Sequence, residues 1–515
     1  MGWILTLYVV NVLLIVIVVL REARRPGVGL ISIVIVALIP ILGFAIYWMV
    51  FSPLSVSRSR NPVVPHGDAP KPLPDTFSSS AHAIAHGLWQ HAVSPLREDH
   101  VEVLKNGQET FETITQVLRN AKRSIDMEYY IYRNDPLGQL IIDILVERAL
   151  GGVHVRFLRD GVGGRELTRH HIRQMREAGI ECRMLYPLRF RLLPTVNYRD
   201  HCKIVIVDDH ESFTGGINVG IEYLGLAPET GFWRDTHLQI TGRTALDLKA
   251  VFDAHWQIAT PDFIAHFTHQ RDEVVRRTVR NQPFASSRFA EEFGSELGCD
   301  NDVSRETLNR DLGRDGVECV LYPSHDARKD PSHPAFLQTI EGSPSIATQR
   351  IREAYFVALT SSARSIDIAT PYFLPDADIV MALKTAVARG VRVRLLLPTK
   401  LDQKVVLYAS RTYYGELLEA GVEIHLYQRG IMHAKVTIVD EETAIVGAAN
   451  YDARSFRLNY EICEVMYSRD VAGELSVQFA EDLADSIRLV QAELSHRGLV
   501  TRLLDQGARV LSPLL

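Results

Sequence analysis

Histidine, lysine and asparagine recur at fixed spacing in two places in this 515-residue chain. In Met432-His433-Ala434-Lys435-Val436-Thr437-Ile438-Val439-Asp440 the β-branched run reads as a buried strand that ends in an acidic turn. Gly447-Ala448-Ala449-Asn450 follows. Alternate side chains on a strand share a face, so His433 and Lys435 point the same way. An imidazole beside a fixed cation, with an Asn returning from the next turn, suits a negatively charged phosphorus centre.

Asp200-His201-Cys202-Lys203-Ile204-Val205-Ile206-Val207-Asp208 repeats the pattern, and Gly215-Gly216-Ile217-Asn218 follows it. His201 to His433 and Asn218 to Asn450 are both 232 positions apart. A constellation repeated at one offset points to a duplicated unit. Other segments repeat at similar offsets. Arg123-Ser124-Ile125-Asp126 matches Arg364-Ser365-Ile366-Asp367, and Glu177-Ala178-Gly179-Ile180-Glu181 matches Glu419-Ala420-Gly421-Val422-Glu423. The duplication therefore covers whole domains. Within each, helical and strand periodicities alternate, for example a strand at 101–104, a helix over 110–121 and a strand over 124–132. That order argues an α/β sandwich with a mixed sheet.

Composition narrows the classes. Hydrophobic residues make up 46% of the chain, enough for sizeable cores. The net charge of −6 and the absence of a long basic run argue against a nucleic-acid partner. The five cysteines, Cys182, Cys202, Cys299, Cys319 and Cys463, are scattered and suggest neither a zinc site nor a disulfide framework. Cys202 faces away from its neighbours His201 and Lys203 and reads as a small buried residue.

Residues 1–52 predict a two-helix transmembrane hairpin, with helices at about 3–20 and 29–51. Trp3, Tyr8, Tyr47 and Trp48 are candidate interfacial anchors. Arg21, Arg24 and Arg25 in the short loop favour a cytoplasmic loop, whereas Arg58 and Arg60 oppose it, so the side of the catalytic body stays open. Residues 53–95 read as a linker, 96–259 as the first α/β domain, 260–316 as a charged connection, 317–480 as the second domain and 481–515 as a C-terminal helical segment.

The paired His-x-Lys-x4-Asp motifs resemble the phospholipase D superfamily, whose fold this implies: two tandem phospholipase D-like α/β sandwich domains related by a pseudo-twofold axis. Several further stretches resemble bacterial cardiolipin synthases, among them Glu128-Tyr129-Tyr130-Ile131, Trp233-Arg234-Asp235-Thr236-His237 and Asn450 through Glu461. The resemblance implies catalytic His201, Lys203, Asp208, His433, Lys435 and Asp440, phosphate-binding Asn218 and Asn450, and histidine-orienting Asp235 and Glu461. It further implies that one imidazole attacks phosphorus to form a phosphohistidine while the other protonates the leaving alcohol. Symmetry leaves open which one attacks; the resemblance favours His201. Asp208 and Asp440 belong to the signature but read as more structural. Ala448 stands where the family usually has Ser.

The implied reaction joins two phosphatidylglycerol molecules into cardiolipin with release of glycerol, with no cofactor or metal, at a bacterial inner membrane. The alternatives are another phospholipase D-type lipid enzyme with a different acceptor, a nuclease of the superfamily, or an inactive lipid-binding scaffold. A membrane-docking role is expected for Val500, Leu503, Leu504, Val510 and Leu511, with packing onto the protein core as the alternative.

Overall fold

A computed structural model describes residues 2–22, 26–50, 72–187, 197–227, 231–261, 321, 332–344, 349–401, 403–495 and 504–509. Each half is a mixed sheet with helices packed on it. In the first half Ser124–Tyr129 runs parallel to His154–Asp160, which runs parallel to Glu181–Leu185. On its other side Ser124–Tyr129 is antiparallel to Lys203–Val207, which forms a hairpin with Glu211–Gly215. The second half repeats this. Ser365–Ala369 is parallel to Arg392–Pro398 and that to Glu423–Tyr427, while Val436–Val439 lies antiparallel to Ser365–Ala369. The parallel strands are connected by helices such as Pro136–Leu150 and Ala377–Ala388, as parallel pairing requires.

The halves are joined edge to edge. Arg97–Lys105 pairs antiparallel with His333–Gly342, Arg97 opposite Leu337. The motif strands are buried along their length, Lys203 to Val207 and Val436 to Val439, which is why their sequences are continuous β-branched runs.

Three departures from the sequence reading have local causes. The expected second N-terminal helix over 29–51 is two helices, Pro26–Leu38 and Pro40–Val50. Pro40 disfavours helical geometry at Ile39, where the chain bends. Gly2–Glu22 forms a helix whose described side chains are Thr6 and residues 8–20. Among the described residues no helix is long and apolar enough to cross a membrane, so the transmembrane hairpin is not supported. Second, Tyr47 is fully buried against the neighbouring helices with Val18 and Val36, so it packs the helices together; Tyr8 is 66% exposed. Third, the stretch read as a linker contains a helix, Ser79–Leu88, capped by Ser78. Its Ala81, Ile84 and Leu88 enter the core of the second half beside Ala354 and Tyr355.

The connection 262–316 lies outside the described residues, as do Val500, Leu503, Val510, Leu511 and the side chain of Trp3; Leu504 is half exposed.

Candidate active site

The two histidines meet because short segments of one half pair with segments of the other. Arg199-Asp200, just before His201, pairs parallel with Asn459-Tyr460, just before Glu461. Ile431-Met432, just before His433, pairs parallel with Trp233-Arg234, just before Asp235. The histidine backbones complete these ladders: His201 N–H donates to the Tyr460 carbonyl at 2.9 Å and His433 N–H to the Arg234 carbonyl at 2.8 Å. Each imidazole is thereby set beside the acid of the opposite half. His201 Nδ1 lies 2.9 Å from Glu461 Oε2, and His433 Nδ1 lies 2.6 Å from Asp235 Oδ2. A carboxylate on Nδ1 fixes the tautomer and leaves Nε2 for chemistry.

Glycine makes room for one of these acids. A Cβ on Gly216 would fall 2.1 Å from Asp235 Oδ1. The corresponding position in the other half is Ala448, and the acid there is the longer Glu461. The hydroxyl of a Ser at 448 is thus missing on the side where the carboxylate has an extra methylene.

His201 and His433 line one cavity of about 630 Å³ together with Asn218 and Asn450. Asn218 is held by its neighbours: Oδ1 accepts from Ile131 N–H at 3.2 Å and Nδ2 donates to the Tyr223 hydroxyl at 2.7 Å. Asn450 receives its backbone support from the Ser455 hydroxyl at 3.0 Å, and its Oδ1 has no hydrogen-bond partner. Lys203 and Lys435 are fully or almost fully buried behind the imidazoles. Lys203 Nζ donates to the His201 carbonyl at 2.6 Å, and Lys435 Nζ lies 2.8 Å from His433 Nδ1. Tyr130 packs on the His201 ring and Trp233 on that of His433, with centroids 5.0 and 5.2 Å apart.

Burial dominates the protonation states. It pushes the His201 imidazole down to about 4, outweighing the Glu461 carboxylate, which pulls upward. His433 is lowered too, by burial and then by Lys435, against Asp235. Burial lowers Lys203 to about 8 despite Glu461. For Asp235 burial acts upward, but Lys435 and His433 together hold the carboxyl below its ordinary value; His201 and Lys203 do the same for Glu461. The site therefore presents two neutral imidazoles, each braced by a carboxylate anion.

Asp208 and Asp440 are not brought into this cavity. Both sit in turns with left-handed backbone, φ 55° and 56°. The Asp208 carboxylate accepts N–H bonds from Lys122, Arg123 and Ser124 at 2.9, 2.6 and 2.9 Å. Asp440 accepts from Ala363, Arg364 and Ser365 and from the Ser80 hydroxyl at 2.6 Å. They tie the turn after each motif strand to the start of the neighbouring strand.

The cavity wall also carries residues that motif spacing did not single out: Arg133, Arg199, Glu222, Tyr372, Asp452 and Arg454. A buried cluster lies next to His201 in the chain and the fold. Glu128, Asp200, Cys202 and His255 place candidate ligand atoms within 4.8 Å of one another, the one such group among the described residues with metal-ligand chemistry. His255 Nδ1 is already paired with Glu128 at 2.6 Å, and burial with the Glu128 charge keeps the Asp200 carboxyl well above its usual range. Cys202 is buried there, as its place on the strand predicts.

Comparison with known proteins agrees with this geometry. The family model described as cardiolipin synthase, phospholipase D-like domain, matches residues 114–256 and 355–483. The chain is 39% identical to a cardiolipin synthase of Geobacillus sp. (strain WCH70) over 84% of its own length and 75% of the relative's. It is 34% identical to that of Geobacillus thermodenitrificans over 98% and 92%. A solved phosphatidylserine synthase of Haemophilus influenzae shares the fold, with TM-score 0.57 and 15% identity, covering 85% of this chain and 100% of that one. The chain belongs to the phospholipase D-like cardiolipin synthase family.

Proposed function

We propose that this protein is a cardiolipin synthase that transfers the phosphatidyl group of one phosphatidylglycerol to the terminal hydroxyl of another. The observation that carries the reading is the crossed pair of imidazoles facing one cavity, each on a carboxylate from the opposite half. His201, neutral and with Nδ1–H directed at Glu461, attacks phosphorus through Nε2. The P–N bond forms as the P–O bond to glycerol breaks, and protonated His433 gives its proton to the departing oxygen. Buried and unsubstituted, His433 is held below its ordinary value. The phosphodiester's negative charge, once in the cavity, favours the imidazolium this step needs. The hydroxyl of the second phosphatidylglycerol then yields its proton to His433 and attacks phosphorus, and the P–N bond breaks. Lys203, Lys435, Asn218 and Asn450 hold the non-bridging oxygens, stabilising charge in the five-coordinate transition state. Asp208 and Asp440 serve the turns.

The reading puts the protein at a bacterial cell membrane, attached through its N-terminal helices. These present exposed apolar side chains to their surroundings, among them Leu20, Leu38 and Ile41 at 73%, 76% and 68% exposure. Loss of flotation with phosphatidylglycerol vesicles on deleting 1–52 is the expected result for attachment.

The function itself is tested by incubating the full-length protein with phosphatidylglycerol and identifying lipids by mass spectrometry. Cardiolipin with equimolar glycerol is expected. Phosphatidic acid as the sole product would mean that water is the acceptor and would overturn the reading.

A further inference from the structure

Each histidine–acid dyad joins segments of opposite halves through a very short ladder: Arg199–Asp200 on Asn459–Tyr460, and Ile431–Met432 on Trp233–Arg234. A reacting pair needs further support from side chains that are themselves fixed. A buried ion pair lies behind each ladder, and the two are built from different residues.

Behind His201 the pair is Glu128 and His255, both buried, with His255 Nδ1 2.6 Å from Glu128 Oε1. It touches both sides of the ladder. The Asp200 carboxyl shares its cluster, and Asp200 Oδ1 accepts the Cys202 N–H at 3.1 Å, so that one side chain spans the His201 peptide. The Asp200 N–H is bound in turn to Asp160 Oδ2 at 3.0 Å. On the opposite side the Tyr460 ring stands edge-on to His255, with centroids 4.7 Å apart, and the Tyr460 carbonyl accepts the His201 N–H.

Behind His433 the pair is Arg234 and Asp482. Arg234 Nε donates to the two Asp482 oxygens at 2.7 and 2.9 Å, and Nη1 donates to the Asp235 carbonyl at 2.5 Å and to Thr236 Oγ1 at 2.9 Å. The guanidinium thereby grips the peptide after the bracing acid, while the Arg234 carbonyl accepts the His433 N–H. The register that sets His237 opposite Gly215 and Cys463 opposite Gly447 makes Tyr460 the counterpart of Arg234. Phe252 and Phe479, which lie under Arg156 and Arg394, make Asp482 the counterpart of His255. The helices Thr244–Ile258 and Arg469–Ala484 therefore use one position each to hold the residue before the other half's acid. The charges have moved between the halves, since apolar Ala369 and Met432 stand where the first half has Glu128 and Asp200.

We infer that these are two positioning pairs, each dedicated to one dyad: Glu128–His255 sets His201 against Glu461, and Arg234–Asp482 sets His433 against Asp235. The inference rests on the transferase reading given above, in which His201 attacks phosphorus and His433 moves the proton. Each pair then governs one step of the reaction.

The test gives the full-length protein a nitrophenyl ester of phosphatidic acid without an acceptor lipid and follows the burst of nitrophenol. The amplitude counts folded sites. The rate constant reads the attack by His201, which on this leaving group needs no proton from His433. Cardiolipin formation from phosphatidylglycerol is then expressed per site. Removing one member would leave a buried charge unpaired, so each pair is replaced whole, as E128Q/H255Q and R234M/D482N. E128Q/H255Q should slow the burst by about tenfold, the scale of a small misplacement of the reacting atoms. R234M/D482N should keep the burst rate constant within about twofold of wild type and lower cardiolipin formation per site by about tenfold. R234K, which keeps a charged pair, should recover part of that loss. A smaller amplitude with unchanged rate constants means that the pairs only hold the fold and overturns the inference, as does slowing of the same step by both double variants. Where a double variant yields too few sites, E128Q and D482N keep a hydrogen bond in place of the charge and are read in the same way. A wild type that gives the burst and no cardiolipin overturns the transferase reading alone, since the burst still tests the first pair.

Discussion

The halves of this molecule agree most closely where the backbone turns. Asp208 and Asp440 share φ values of 55° and 56°, and the residues after them share 58° and 55°. Each carboxylate accepts N–H bonds from the equivalent Arg and Ser at 2.6 and 2.9 Å, Arg123 and Ser124 in one half and Arg364 and Ser365 in the other. Agreement persists at the histidines, with one change: Asp235 braces His433, and the longer Glu461 braces His201. It fails on the wall, where Glu222 of the first half corresponds to Arg454 of the second and both line the cavity. The graded divergence follows the demands on each region. A turn must satisfy the same backbone donors in both halves, and a pair of histidines must flank one phosphorus. The cavity wall is under no such shared demand.

The largest effects test the centre of this comparison. His201→Ala and His433→Ala should each lower cardiolipin formation by about 10³-fold or more, measured by mass spectrometry on protein shown to be folded. They should part on an activated substrate. A phosphatidyl ester of nitrophenol needs no proton on its leaving group, so H433A should still form the phosphoenzyme from it and H201A should not. The crossed acids predict the same division one step removed. D235N, acting on His433, should lose about 10²-fold with phosphatidylglycerol and recover on the nitrophenyl ester; E461Q, acting on His201, should lose a similar factor and not recover. Recovery by E461Q instead would mean that the two histidines have exchanged roles.

That crossing was not legible in the sequence. The family resemblance and the order of the repeats pointed to Asp235 and Glu461 as the orienting acids, each downstream of its motif, but which acid meets which histidine depends on pairing between segments hundreds of residues apart. Local patterns served the fold better. The β-branched runs from Lys203 and from Lys435 are strands because burial on both faces demands such residues, and the alternation with helices forces a mixed sheet. Pro40 carried a readable warning that the second apolar run would break, and overall hydropathy masked it. The helix Ser79–Leu88 was concealed by the Pro-rich stretch before it, although Ser78 offers a normal cap. The cavity wall stayed hidden because nothing in the spacing of Glu222 and Arg454 says that the fold brings them to one space.

A moderate effect tests the turns. D440A removes a 2% exposed carboxylate that satisfies backbone N–H groups and the Ser80 hydroxyl, so it should cost roughly 2–4 kcal/mol of stability. D208A, whose carboxylate is more exposed, should cost about half as much. Both carboxyls are held below the ordinary value against burial, Asp208 through its backbone N–H donors and Asp440 through the Ser80 hydroxyl first and then its N–H donors. Their contribution is therefore present above the ordinary carboxylate range and lost as pH falls through the lowered value. Thermal melts of the two variants at neutral pH read the difference. Equal melting temperatures, with activity lost in proportion to the histidine variants, would instead put these residues in the chemistry.

The smallest effect separates the halves by pH. His237 pairs across from Gly215, and the equivalent position opposite Gly447 is Cys463. His237 is fully buried, both its ring nitrogens lack partners, and burial pushes it down to about 3. An unfolded histidine binds a proton near 6.5, so between 6.5 and about 3 the unfolded chain holds the extra proton and the fold loses stability as pH falls. His201, at about 4, acts in the same direction. His255 acts in the opposite one: raised by Glu128 despite burial, it keeps its full contribution below 6.5 and loses it only as pH climbs through its raised value. Buried Cys463, with its thiol raised by burial, does not titrate in the acid window. H237C, which gives the first half the residue of the second, should flatten the fall in melting temperature from pH 6.5 to 4.5 by a few degrees, at about 2–4 °C per kcal/mol. Hydrogen exchange at pH 4.5 should show the strand Thr236–Thr241 opening before its counterpart Asn459–Tyr467 in wild type, with the two strands drawing level in H237C. Equal opening in wild type would mean that His237 finds a partner in the folded protein and that the halves are alike in acid.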